Sequence, residues 1–353
     1  MTTNRDLRQQ MQALWATACC FVVGAVIGTV LLWGTNHPFT GSGPVTLRTA
    51  LIAAAIASPA FVVSTLFYRR DETSPMPRWQ RVISNVSSFA VMLALGGVTG
   101  LGVLLAGQVL ATGLQGVEFG AIGGGILTGV AAGFGGRLSF QAGVDLSTRD
   151  LSALLFAFLV IGTVFAMTTA TDTTWWERNF SQLGAEGAWA FNGTLIIAGL
   201  LVATIGSYIG RDLHRLLNDE AIGHIAGVVA VWAGAGLALT AVGLLPTDQL
   251  PPAHNIAAFA MLLLLVGAAG YTQFILPDPP PVLKTVTTIF IGLVALCVVL
   301  TFVFVVLSVT ALESIVVGLA LLWMTTLIRV LGILAPTQSL PSKRHRLLVL
   351  SRR

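Results

Sequence analysis

A chain of 353 residues with 55% hydrophobic residues, 10% charged residues and a mean hydropathy of +0.85 carries more apolar surface than a water-facing globule can bury. This excludes an ordinary soluble domain and points to a protein that crosses a membrane repeatedly. A net charge of +4 would raise the question of nucleic acid in a soluble chain, but here the placement of Lys and Arg has a topological explanation and no nucleic-acid partner is expected.

About 20 helical residues cross a bilayer core of about 30 Å. Ten apolar runs of that order are present, near 13–33, 49–68, 84–111, 119–136, 151–171, 189–210, 221–244, 254–276, 285–308 and 313–335. They are continuous Leu, Val, Ala and Gly blocks, not the alternating segments of a transmembrane β-barrel. The expected fold is all-α, a polytopic transmembrane helix bundle of about ten spans. With the N-terminus inside, 17 of the 19 Lys and Arg are cytoplasmic, and only Arg48 and Arg178 lie outside. That bias assigns both termini to the cytoplasm and the chain to a bacterial plasma membrane, as a multi-pass protein with membrane lipids as its surroundings.

Arg5 and Arg8 precede a run, Met11–Trp33, that is too long for a signal peptide, so a retained first helix is expected. Spans three and four are unusual, because 15 of the 38 glycines lie between Gly96 and Gly136. Gly116, Gly120 and Gly124, and then Gly125, Gly129 and Gly133, recur every four residues and predict a face on which another helix packs closely. The same face offers a route to a homo-oligomer or a membrane partner, and a broken helix at a transport site is the alternative. Residues 1–150 form a four-span region, 151–335 a six-span region, and 336–353 a basic cytoplasmic tail. In that tail Lys343, Arg344, His345 and Arg346 suit anionic headgroups. Cys19, Cys20 and Cys297 all fall within spans, which leaves no disulfide framework or zinc spacing.

Leu213, Leu216 and Leu217 recur at helical spacing in the charged stretch Arg211–Glu220, which predicts a short interfacial helix between spans six and seven. The last hairpin has Glu313 and Arg329 as its only charges, and its turn is expected at Ser308–Ser314.

The middles of the spans lack ionisable residues, which weighs against an ion-coupled pump. Polar residues gather instead in two outer loops. One runs from Asp172 through Trp175, Trp176, Glu177, Arg178 and Ser181 to Asn192; the other runs from Leu245 through Asp248 to His254. If these loops meet, Asp172, Trp176, Glu177, Ser181, Asn192 and His254 form a ligand-binding set. No catalytic residue is assigned outright. The candidates are Ser181 as nucleophile, His254 as base, and Asp172 or Asp248 as orienter, without a G-x-S-x-G signature. The plain structural alternative makes Trp175, Trp176 and Trp189 an aromatic belt, Ser181 a helix cap and Asn192 a cross-helix bond. No metal and no cofactor are expected, since His37 and His254 each lack a second His at helical spacing.

Ser181-x-Leu183-Gly184 followed by Phe191-Asn192, then Leu245-Pro246 and the Pro-flanked His254, resembles an uncharacterised bacterial multi-pass family, domain of unknown function 998. That family is in turn similar to the Frag1/DRAM/Sfk1 membrane proteins. The resemblance covers about residues 151–335 and implies membrane location without an activity. The expected function is the handling of a lipid or envelope component in an outward-facing pocket, or support of a membrane partner. A carrier for a neutral or apolar molecule comes second, and an outer-leaflet lipid hydrolase or transferase third; a non-enzymatic role is favoured.

Overall fold

The computed structural model describes residues 2–39, 44–69, 78–217 and 219–335; the predicted basic tail lies outside them. In hydrocarbon a backbone must satisfy its own hydrogen bonds, and the described residues do so in ten long helices. They are α1 (Thr2–Leu31), α2 (Val45–Arg69), α3 (Arg78–Ala111), α4 (Ala121–Val144), α5 (Thr148–Thr168), α6 (Trp189–Leu217), α7 (Ile222–Leu244), α8 (Pro251–Ile275), α9 (Pro281–Phe302) and α10 (Val309–Leu334). Among the described residues nine of these are long and apolar enough to cross a membrane. The exception, α4, has 24 residues of which eight are glycine, and it carries Arg137. The chain is therefore an all-α polytopic membrane protein.

Two compact units emerge. Unit 1 comprises Met1–Leu146 and Ala157–Thr169, and unit 2 comprises Ser147–Phe156 and Ala170–Arg353, so α5 contributes to both.

In unit 1 the glycine face of α4 lies against α1. A Cβ on Gly125 would sit 2.0 Å from Thr29 Oγ1, and one on Gly129 would sit 2.8 Å from the Phe21 carbonyl. Gly133 faces Phe21 and Thr17 in the same row. The second predicted glycine series is thus a packing seam. The first is not: Gly116 occupies a left-handed turn at φ +74° and Gly120 caps α4, because the helix begins only at Ala121. α4 itself runs unbroken, so the discontinuous helix is not observed. The loops that follow α1 and α3 meet in a two-residue antiparallel pair, β1 (His37–Pro38) with β2 (Glu118–Phe119). His37 is held there by Arg48, whose guanidinium lies 2.8 Å from Nε2.

Unit 2 has a second glycine seam that the four-residue pattern did not disclose. Gly199 of α6 and Gly236 of α7 oppose each other so closely that a Cβ on either would stand 2.4 Å from the other's carbonyl oxygen. Further along, Gly206 makes room for Trp232 and Gly210 for Val229. Trp232 stacks on Trp323 at 5.8 Å between centroids, and Trp323 stacks on Phe290 at 5.6 Å, which joins the middles of α7, α10 and α9. Each buried indole N–H has a partner: Trp232 donates to Thr272 Oγ1 and Trp323 to Thr287 Oγ1.

Two boundaries differ from the sequence reading. Arg211–Leu217 continues α6 instead of forming a separate interfacial helix, since nothing after Gly210 breaks it; Leu213 is fully buried and Asp212 accepts a 2.5 Å bond from Thr148. The last turn is Val303–Ser308, not Ser308–Ser314. Ser308 caps α10 by accepting from the Ala311 N–H, and Val305 takes a left-handed conformation at φ +54°.

The backbone carbonyls at the α6–α7 crossing cannot withdraw. Replacing Gly199 by Leu is expected to cost about 1–3 kcal/mol or more through overpacking and to lower the melting temperature in detergent. Replacement of Gly193, where an added Cβ meets nothing within 4 Å, by Ala should leave it unchanged. Equal melting curves for Gly199→Leu and the parent would contradict the seam.

Candidate functional site at the loop face of unit 2

The α5–α6 connection folds as two short 3-10 turns, Trp175–Glu177 and Phe180–Gly187. Inside the second, Gly184 tolerates no side chain, because a Cβ there would lie 2.1 Å from Asn192 Oδ1. The Asn192 amide in turn donates to the Gly184 carbonyl at 2.8 Å. Asn192 therefore clasps its own loop and, among the described residues, its side chain bonds to no neighbouring helix. Ser181 lies half-buried in the same turn. Ser181 is not a helix cap: the residue before the turn is Asn179, and the Ser181 hydroxyl is used elsewhere.

Its partner is His254. Pro251 and Pro252 open α8, where a missing N–H costs nothing, and this brings His254, 5% exposed, back under the end of α7. The His254 Nδ1 lies 2.7 Å from the carbonyl of Leu245, the residue that closes α7. A carbonyl only accepts, so Nδ1 carries the proton. In the neutral form of the ring, Nε2 then presents its lone pair to the Ser181 hydroxyl, 2.9 Å away. An orphan carbonyl at a helix end has become the group that sets the histidine tautomer.

The predicted meeting of the two loops is thus observed at Ser181 and His254, but the carboxylate orienter is not. Leu245 occupies the position at Nδ1 that Asp172 or Asp248 was expected to take. Asp172 faces its own loop, accepting from the Thr174 N–H at 2.8 Å, the Thr174 hydroxyl at 2.7 Å and Arg178 at 2.9 Å. Asp248 stands exposed on the α7–α8 turn. The Trp176 ring and Glu177 are also exposed, while the Trp176 carbonyl accepts from Thr310 of α10 at 2.7 Å.

Sequence reasoning missed the contribution of α10. Glu313 accepts the Phe180 N–H at 2.7 Å, so the start of the last helix fastens the residue next to Ser181. The available signal was an acidic residue in the first turns of a span whose one other charge is Arg329 at its far end. Asn179 was also missed. Its Oδ1 is buried and has no hydrogen-bond partner among the described residues, an arrangement that costs about 1–3 kcal/mol unless a donor arrives.

Comparison with known proteins places this half of the chain in context. Residues 150–330, about half the length, match the model of a family described as protein of unknown function (DUF998). No curated protein and no solved structure matches the chain.

The hydrogen bonds from the Thr174 hydroxyl and N–H, with the Arg178 charge, hold the Asp172 carboxyl below the ordinary carboxylate range. A depressed carboxylate stabilises the folded loop above its unfolded pKa of about 3.9, and that stabilisation is lost as pH falls through the lower folded value. Tryptophan emission from the parent and from Asp172→Asn should accordingly differ at neutral pH and converge below the usual carboxylate range. A difference that persists unchanged in acid would show that the Asp172 contacts do not order the loop.

Proposed function

The chain belongs to the DUF998 family of proteins of unknown function, and on that premise we propose that unit 2 binds the polar head of a lipid or other envelope component at the outer face of the cell membrane. The observation that carries this reading is the half-buried Ser181–His254 bond, which ties two loops together around groups that still accept hydrogen bonds. Ser181 spends its proton on His254 and keeps oxygen lone pairs, and Asn179 Oδ1 lacks a donor. With Glu313 bonded to the residue between them, the site favours a head that donates, a hydroxyl or an ammonium, over an anion. A carrier is less well supported, because Trp232, Trp323 and Phe290 fill the middle of unit 2 with stacked rings.

A second reading, transfer or hydrolysis of a lipid ester, is favoured by one specific feature: the His254 lone pair faces the Ser181 hydroxyl. In that chemistry the Ser181 oxygen adds to the ester carbonyl as its proton passes to Nε2. The tetrahedral centre then expels the alcohol, which takes the proton back from Nε2, and water repeats the sequence on the acyl-serine. Binding ranks first because the main-chain donors on either side of Ser181 are occupied. The Phe180 N–H serves Glu313 and the Gln182 N–H serves Asn179 O, so neither is free for an oxyanion.

A photo-crosslinking amino acid in place of the exposed Trp176 tests the binding reading in membranes of the producing cell. Adducts of lipid mass are expected, reduced strongly in Ser181→Ala and His254→Gln backgrounds. Adducts to protein alone, or lipid adducts indifferent to both substitutions, would overturn it. The ester reading predicts that a fluorophosphonate probe labels Ser181 and that His254→Gln slows labelling by roughly 10²–10⁴-fold. Absence of labelling on the folded parent would dismiss that chemistry and leave the binding reading untouched.

A further inference from the structure

Unit 1 holds a feature that the loop face of unit 2 does not involve. Between α1 and α4 lies an open groove of about 500 Å³, lined by Leu14, Thr17, Ala18, Phe21, Val22, Val130, Gly133, Phe134 and Arg137. Its origin is local: Ala18 and Gly133 supply almost no side chain along the floor. The longer Leu14 and Val22 on one helix, and Val130 and Phe134 on the other, stand up as exposed walls. The volume falls within the range of small-molecule sites, about 300–1,000 Å³. From Val130 to Arg137 the groove follows about 10 Å of helix.

Its chemistry is lopsided. Thr17 donates its hydroxyl to the Ala13 carbonyl at 2.7 Å, so it offers the groove chiefly a methyl group. Arg137 is then the one charged residue of the lining. Its side chain is exposed and makes no ion pair with another described residue. A guanidinium at the end of an apolar channel has five donors and a fixed positive charge, and α4 tolerates it in a span otherwise rich in glycine. An apolar channel with a cation at one end is complementary to a molecule that is a hydrocarbon chain with an anion at one end. A second copy of the chain would match the apolar walls but would also have to bring a carboxylate to Arg137.

We propose that the α1–α4 groove is a binding site for an anionic phospholipid, with an acyl chain along Ala18 and Gly133 and the phosphate on Arg137. The site is separate from the Ser181–His254 pair in residues and in charge preference. It holds the lipid as a bound component of unit 1.

The test uses the full-length protein in nanodiscs of phosphatidylcholine with or without phosphatidylglycerol, released into the mass spectrometer under native conditions. The parent is expected to retain phosphatidylglycerol in preference to phosphatidylcholine. Arg137→Gln should reduce that preference by about fivefold, the equivalent of one charge near a headgroup surface. Ala18→Trp and Val130→Trp, both at exposed positions, should each fill the channel and lower retention of either lipid while leaving Arg137 in place. Equal retention of the two phospholipids by the parent would overturn the proposal. So would undiminished retention in the two Trp variants, or a dimer mass that only these variants abolish.

Discussion

Polar groups have nowhere to hide in hydrocarbon, and that constraint shapes the molecule from its helices to its loop face. Thr side chains that would otherwise be orphaned donate back to the carbonyl four residues earlier, as Thr128 does to Gly124, Thr194 to Ala190 and Thr204 to Leu200. The two buried indoles of unit 2 find Thr272 and Thr287. The same demand reaches the helix ends. α7 finishes with a carbonyl that has no helical partner, and His254 supplies the missing donor. A histidine recruited to satisfy a backbone is thereby locked in one tautomer and aimed at Ser181, so the geometry of the site follows from the ordinary needs of a membrane helix.

Glycine does the complementary work of bringing helices close enough to share such contacts. Both units use it, but in different ways. In unit 1 the glycines of α4 accept the backbone and small side chains of α1. In unit 2 a reciprocal pair, Gly199 and Gly236, lets two backbones touch. Without a hydrophobic force between helices in lipid, association depends on such packing and on hydrogen bonds. Where small residues of the two helices lie below longer exposed neighbours, as Ala18 and Gly133 do, an open channel runs beside the seam.

Unit 1 and unit 2 then present opposite chemistry to the membrane. Around Ser181 the unpaired Asn179 Oδ1 accepts hydrogen bonds and the Glu313 carboxylate holds the adjacent Phe180 N–H, a setting complementary to a donor. In the lining of the α1–α4 groove the one charged residue is Arg137, whose guanidinium is complementary to an anion. Glu313 and Thr310 add a mechanical point to the first. By gripping Phe180 and the Trp176 carbonyl, α10 couples the turn that carries Ser181 to the last helix.

Much of this architecture was legible in the residues alone. Long apolar runs without interior charge can only be membrane helices, and four-residue glycine spacing in α4 can only make a flat face, so class, approximate span positions and the Gly125–Gly133 seam follow from local composition. Ser181 and His254 were recognisable as chemically able residues on loops of one face. Only tertiary structure could decide that they touch, that Leu245 and not Asp172 orients the histidine, and that Glu313 belongs to the same loop face. Those facts depend on where a carbonyl at the end of one helix meets the first turn of the next, and on contacts between residues more than a hundred positions apart. A periodicity encodes the face of a helix; it carries no information about which distant helix end will need a hydrogen bond.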